Sequence, residues 1–273
     1  MKLTLEKDGQ RYSFQTEKGM DLSISLNPSG PRAWYVEPMR IEPVRTEQFL
    51  GSVAEGGTVN FRDVYFNPHG HGTHTENVGH IIDTDFPVVN SIGSSHFMAK
   101  LITVELMKQD AMQGALQGSS QDLPQDLSQN LETVASQGDW VVNELSLEGF
   151  DLKVEALIIR TKPNDHSKVQ RQYSGTNFPY LTIGAMQRIV DAGVQHLLID
   201  LPSVDREEDG GVLEAHHLFW NVPAEPNFQK TITEFIYVPN EIADGTYLLN
   251  LQVSNFANDA APSRPMLFAL AEE

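Results

Sequence analysis

Hydrophobic and polar positions along the chain alternate with two different periods, and the change of period predicts the fold class. Residues 3–14 alternate with a period of two on either side of Asp8-Gly9, which predicts a β-hairpin, and residues 21–26 continue the same rhythm. Residues 28–43 hold four prolines and predict extended or looped chain. Alternation returns at 58–66, a strand expected to run straight into the segment that follows it. Residues 95–108 are apolar and β-branched enough for a buried strand.

The second half carries the α/β signal. Residues 155–161 form a short apolar run, and Thr182 is placed to cap a helix in which Ile183, Met186, Ile189 and Val190 recur at helical spacing up to Gly193. Residues 194–201 form a second apolar run. Strand, helix, strand with apolar runs on both strands predicts a parallel crossover, right-handed by the general rule. Residues 230–238, 245–253 and 264–270 predict three further strands. Residues 109–139 interrupt the pattern as a polar insertion rich in Gln, Ser, Asp and Gly, read as a solvated loop with a short helix, with a lid or an oligomer contact as the functional alternative. No internal repeat or clean linker divides the chain, so a single domain over residues 1–273 is expected.

Composition narrows the chemistry. The 273 residues contain no cysteine, which excludes disulfides, thiolate zinc sites and cysteine nucleophiles together. A formal net charge of −18 disfavours phosphate backbones and anionic membranes, so no nucleic-acid or membrane partner is expected. No apolar stretch is long enough to span a bilayer, and the first residues lack a signal-peptide segment; a soluble, cytoplasmic protein is the expectation.

Against this background one segment stands out. Residues 67–81 hold His69, His71, His74 and His80, four of the nine histidines, with Glu76 among them. Imidazole nitrogens and a carboxylate suit a borderline divalent ion such as Zn²⁺ or Mn²⁺, and Gly70 and Gly72 permit a tight turn. A His-rich surface loop is the plain alternative. His216 and His217 form a second cluster beyond the strand end at Asp200-Leu-Pro-Ser-Val-Asp205, where sites of α/β units collect. Glu234 lies among apolar neighbours in a strand, and a buried carboxylate needs a cation; it is a candidate ligand unless it faces solvent. No Gly-x-Ser-x-Gly elbow occurs, which argues against a serine hydrolase.

The sequence of motifs, His-Gly-Thr-His-Thr-Glu ending at His80, then Leu-Pro-Ser-Val-Asp, then Ala-His-His-Leu-Phe, then an acidic residue in a following strand, resembles the metal-dependent cyclase family that includes bacterial kynurenine formamidase and isatin hydrolase. The resemblance runs from about residue 21 to the last strand. It implies a β/β/α fold of the swivelling-domain type with a mixed sheet, hydrolysis of an amide or lactam C–N bond of a small molecule, a mono- or dinuclear Zn²⁺ or Mn²⁺ site, and a homo-oligomer. It implies His74, Glu76, His216 and Glu234 as metal ligands and His80 as the acid-base group; in such a site Asp200 or Asp205 is the candidate to orient a ligand imidazole from outside. Two departures are visible. Glu76 stands where the family usually has a bridging Asp, and the family's first histidine falls on Gly70, flanked by His69 and His71. His69, reached through a bulge after Pro68, is favoured as the ligand. The rival from another class is a binding or assembly protein in which these residues hold a closed structural ion.

Overall fold

The computed structural model describes residues 1–7, 9–109 and 138–272. In chain order, β1 (Lys2–Lys7) and β2 (Gln10–Gln15) are followed by β3 (Met20–Asp21), β4 (Arg40–Pro43), β5 (Arg62–Tyr65), β6 (His74–Glu76), β7 (His96–Glu105), β8 (Met107–Lys108) and β9 (Trp140–Val142). Then come β10 (Ala156–Lys162), β11 (Tyr180–Leu181), α1 (Ile183–Asp191), β12 (His196–Ile199), α2 (Glu214–Trp220), β13 (Thr231–Glu234), β14 (Gly245–Asn250), β15 (Ala260–Pro262), β16 (Met266–Ala269) and β17 (Ala271–Glu272).

Nine strands form the central sheet in the order β15-β6-β13-β12-β10-β7-β14-β16-β3. Its middle, β13-β12-β10-β7, is parallel, and every strand outside it pairs antiparallel, so the sheet is mixed and the fold is α/β. The expected crossover is β10-α1-β12. Successive side chains of these strands sort onto opposite faces with the period of two. Ile102, Val104, Leu157, Ile159, Leu197, Ile199 and Ile232 pack on the face that carries α1 and α2, against Ala185, Met186, Ile189, Ala215, Phe219 and Trp220. Leu101, Ile158, Leu198 and Leu249 fill the other face with Leu22, Ile236 and Leu267. Because both faces are covered, the parallel strands read in sequence as unbroken apolar runs.

Local signals account for the element ends. The Thr182 hydroxyl accepts from the Ala185 amide at 3.2 Å and caps α1 as expected. The first hairpin pairs Lys7 with Gln10, which leaves a two-residue turn containing Gly9 at φ 78°.

Two expectations need correction, and two elements carry no signal that foretold them. The strand expected over 58–66 is only β5, which pairs with β4 in an exposed two-stranded ribbon and does not join the central sheet. The histidine segment itself enters the sheet as β6, whose three residues are all buried. His216 and His217 lie on α2, a seven-residue helix too short to display an apolar period. The short edge strand β15 was not expected at all. The polar insertion falls, over residues 110–137, outside the described residues; its two ends meet through a 2.9 Å bond from the Gln109 amide to the Asp139 carbonyl. Among the described residues no helix is long and apolar enough to cross a membrane.

Candidate metal centre

The register between β6 and β13 builds the centre. His74 is opposite Glu234 and Glu76 is opposite Ile232, so His74, Glu76 and Glu234 project from one face of adjacent strands, the face on which α2 brings His216. All four residues are at least 97% buried. Immediately after Glu234, Phe235 takes a left-handed φ of 54° while its amide donates to the Leu201 carbonyl, and the Ile236 amide then donates to the carbonyl of Ile199, the last residue of β12.

The imidazoles share one arrangement. His74 Nδ1 lies 3.0 Å from the Gly72 carbonyl, a contact that needs the proton on Nδ1, and its Nε2 faces Glu234 at 3.5 Å and Glu76 at 3.9 Å. His216 has Nδ1 2.5 Å from Asp205 and Nε2 3.0 Å from Glu76. His69 has Nε2 2.9 Å from Asp259 and Nδ1 2.9 Å from Glu76. Each ring therefore has an acceptor on its outer nitrogen and turns its inner nitrogen toward Glu76. The two Glu76 oxygens are divided between His216 and His69, and the Glu234 carboxylate is tied by the Val204 amide at 3.1 Å.

His80, in a 3-10 turn over Val78–His80, sits at the open edge with 30% of its side chain exposed. Its Nδ1 is 3.4 Å from Asp259 and 4.0 Å from Glu76, and its ring stacks on His69 with centroids 4.3 Å apart. Asp205 also accepts the Ala215 and His216 amides, so it caps α2 and orients His216 together. Asp200 does neither: it is buried against Lys168 at 2.7 Å and Thr161.

Of the two candidate first histidines, only His69 joins the cluster. His71 is buried elsewhere, with Nε2 2.7 Å from the Glu37 carbonyl and Nδ1 accepting from the Asn67 amide at 2.8 Å. Asp259, on the loop before β15, went unread in the sequence. A lone acidic residue among Asn and Ala carries no periodic signal, and its importance comes from a partner 190 residues away.

The electrostatics describe a site that attracts positive charge. Burial alone would raise the Glu76 carboxyl, yet the His80 charge and hydrogen bonds from His216 and His69 hold it well below the usual carboxylate range. Burial, then repulsion from Glu76, pushes the Glu234 carboxyl up. Burial would make His69 less basic, but its bonds to Asp259 and Glu76 raise it to about 10, and His216 is raised for the same kind of reason by Asp205 and Glu76. His74 Nε2 is one of three side-chain N or O atoms among the described residues that are buried without a hydrogen-bond partner. An unpartnered buried lone pair costs about 1–3 kcal/mol. Here it points at two carboxylates, which themselves accept rather than donate when ionised, and a cation placed among them satisfies all three. The donors fit a divalent ion: ligand atoms of His69, His74 and Glu76 lie within 4.8 Å of one another, as do those of Glu76, His80 and His216, and of His69, His80 and Asp259.

A mixed α/β sheet with a buried cluster of imidazoles and carboxylates near one edge presents a candidate site for a divalent cation. The chain belongs to the Cyclase family, whose model, described as "Putative cyclase", matches residues 20–206. No curated protein matches it. Among solved structures it is similar to isatin hydrolase A from Ralstonia solanacearum, with 14% identity, 92% of each chain covered and a TM-score of 0.60. It is likewise similar to a structure described as a predicted metal-dependent hydrolase from Bacillus stearothermophilus, with 14% identity, 92% of this chain and 98% of that one covered, and a TM-score of 0.57. A third, isatin hydrolase A from Labrenzia aggregata bound to benzyl benzoate, has 11% identity over 92% of this chain and 93% of that one, with a TM-score of 0.59. At these identities the likeness establishes the fold.

Proposed function

We propose that the protein is a metal-dependent hydrolase that cleaves an amide or lactam C–N bond of a small molecule with water. The observation that carries this reading is the inward convergence of three imidazole nitrogens on Glu76 and Glu234, with His74 Nε2 buried and unpartnered. His69, His74, Glu76, His216 and Glu234 would hold Zn²⁺ or Mn²⁺, a donor set of nitrogen and oxygen without sulfur. When bound, such an ion lowers the pKa of water and polarises a carbonyl. Membership of the Cyclase family and the descriptions of the similar structures as isatin hydrolases and metal-dependent hydrolases support the same chemistry.

The chain's own residues do the rest. Asp205 fixes the His216 tautomer through Nδ1, and the Gly72 carbonyl does so for His74, so neither ring has to reorganise. His80 takes the proton of the attacking water and delivers it to the leaving nitrogen as the C–N bond breaks, so one residue serves as base and then acid. Its Nδ1 faces Asp259, which leaves Nε2 for this exchange. Exposure of His80 beside four buried donors favours this reading over a structural ion, because a closed structural site has no use for a partly open titratable group at its rim. Metal analysis of protein purified without added metal, followed by an amide and lactam screen with and without chelator, is the test. About one or two divalent ions per chain and chelator-sensitive hydrolysis are expected; a metal-free, chelator-indifferent protein would refute it.

Self-association is part of the proposal. The β4-β5 ribbon and the chain around it expose Val53, Val59, Phe61, Val64 and Tyr65, and a two-stranded ribbon is marginal alone in water. Light scattering should give a mass above that of one chain; a monomer at all accessible concentrations rules this out.

A further inference from the structure

His69 occupies a displaced position in the chain, and the residue that makes the position workable comes from the opposite end of the sequence. Asp259 lies just before β15, whose Ala260 is opposite Glu76 and whose Pro262 is opposite His74. Its backbone is pinned on both sides: the Asp259 carbonyl accepts the Asn77 amide at 3.1 Å, and the neighbouring Asn258 carbonyl accepts the Val88 amide at 2.9 Å. The side chain is admitted by Gly79, where a Cβ would stand 3.2 Å from the Asp259 Cβ and 2.9 Å from Asn77 Oδ1. The carboxylate is therefore held in place before it meets His69.

The contact is specific in what it does to the ring. His69 lies between two carboxylates, with Nε2 2.9 Å from Asp259 and Nδ1 2.9 Å from Glu76; a neutral ring that gave its Nδ1 lone pair to a cation beside Glu76 would keep its one N–H on Nε2, facing Asp259. His216 is arranged in mirror fashion by Asp205, and His74 by the Gly72 carbonyl. Resting on the metal-hydrolase reading above, we infer that Asp259 is a positioning residue for the ion: it selects the Nε2–H tautomer and the orientation of His69, and so lets a histidine one residue away from the family position present Nδ1 to the centre. Asp259 lies outside residues 20–206, the part of the chain matched by the family model.

The test measures ion retention rather than turnover. In chelator competition with Zn²⁺ or Mn²⁺ on the full chain, Asp259→Ala should weaken retention by about 10–100-fold, the usual effect of removing an outer partner of a ligand histidine. Asp259→Asn, whose side-chain carbonyl still accepts from Nε2–H, should recover most of that loss. In a His69→Ala background Asp259→Ala should add nothing, because its influence passes through the ring. Additive losses would make Asp259 a ligand in its own right, and unchanged retention would make it irrelevant; either overturns the inference. Histidine nitrogen correlations of the Zn²⁺-loaded wild type give a reading without any variant: His69 should carry its proton on Nε2, and a proton on Nδ1 overturns the inference as well. A wild-type chain that retains no ion would instead remove the metal-hydrolase reading itself.

Discussion

His74 and His80 belong to one short segment but carry opposite duties in the proposed mechanism, and substituting each with alanine separates them. His74 is fully buried, donates through Nδ1 to the Gly72 carbonyl and directs an unpartnered Nε2 at Glu76 and Glu234. In the metal-free protein His74→Ala strands the Gly72 carbonyl, a loss of about 1–3 kcal/mol, but it also removes an orphaned nitrogen of similar cost, so the two partly cancel. The decisive quantity is therefore the increment produced by the ion. An ion bound only by the folded state adds RT ln(1 + [L]/Kd), about 2.7 kcal/mol at 100 times Kd, which for a chain of this size raises Tm by roughly 5 °C. Wild type and His80→Ala should both show that rise on Zn²⁺ or Mn²⁺ addition, while His74→Ala should show almost none. His80→Ala should meanwhile lose about 10²–10⁴-fold in kcat on the substrate found by the screen. Differential scanning fluorimetry against free-ion concentration, with elemental analysis of each variant, makes the measurement. A full rise in His74→Ala, or a metal-free His80→Ala, would refute the division of roles.

The two flanking histidines should also part company. His69→Ala should lose most of its metal, whereas His71→Ala should keep it and lose about 1–3 kcal/mol of stability from the stranded Glu37 carbonyl and Asn67 amide; comparable metal loss in a chelator titration would contradict the assignment. A third outcome concerns pH and a histidine outside the centre. Burial lowers His196 to about 4, with the Glu155 charge opposing weakly. Its folded pKa lies below the unfolded value of about 6.5, so its contribution is present above that value and lost as pH falls from 6.5 toward 4. Urea midpoints of wild type and His196→Gln should therefore converge across that window, and a gap independent of pH would show that His196 does not titrate there.

What could be read from the sequence divides along a physical line. The runs at residues 156–162 and 196–199 were legible because both faces of those strands are buried, and α1 because nine residues suffice to show an apolar stripe behind a Thr182 cap. The elements that build the centre carry no such pattern. In β6 the buried side chains are His, Thr and Glu, so the usual meaning of polar and apolar is inverted; α2 and β15 are too short to have a period. These segments are held by their neighbours: β6 lies between β13 and β15, and α2 is capped by Asp205 from ten residues away.

The same reasoning explains which site residues could be named in advance. Histidine clustering marks His69, His71, His74, His80, His216 and His217 alike as candidates, and Glu234 stands out because a carboxylate among apolar neighbours needs a partner. Whether Glu234 faces the centre or solvent depends on something local pattern does not contain, namely that β13 is an interior strand between β12 and β6, with all four of its residues buried. Choosing between His69 and His71 likewise depends on the Glu37 carbonyl, 34 residues before His71, which captures one ring and leaves the other to Asp259. A candidate metal centre assembled from β6, β13, α2 and the β14–β15 loop is legible in sequence only as its list of donors. The acceptors on the outer nitrogens of His69 and His216 are Asp259 and Asp205, which sequence spacing does not bring together, so substitution of those acceptors is the sharper probe of how this site works.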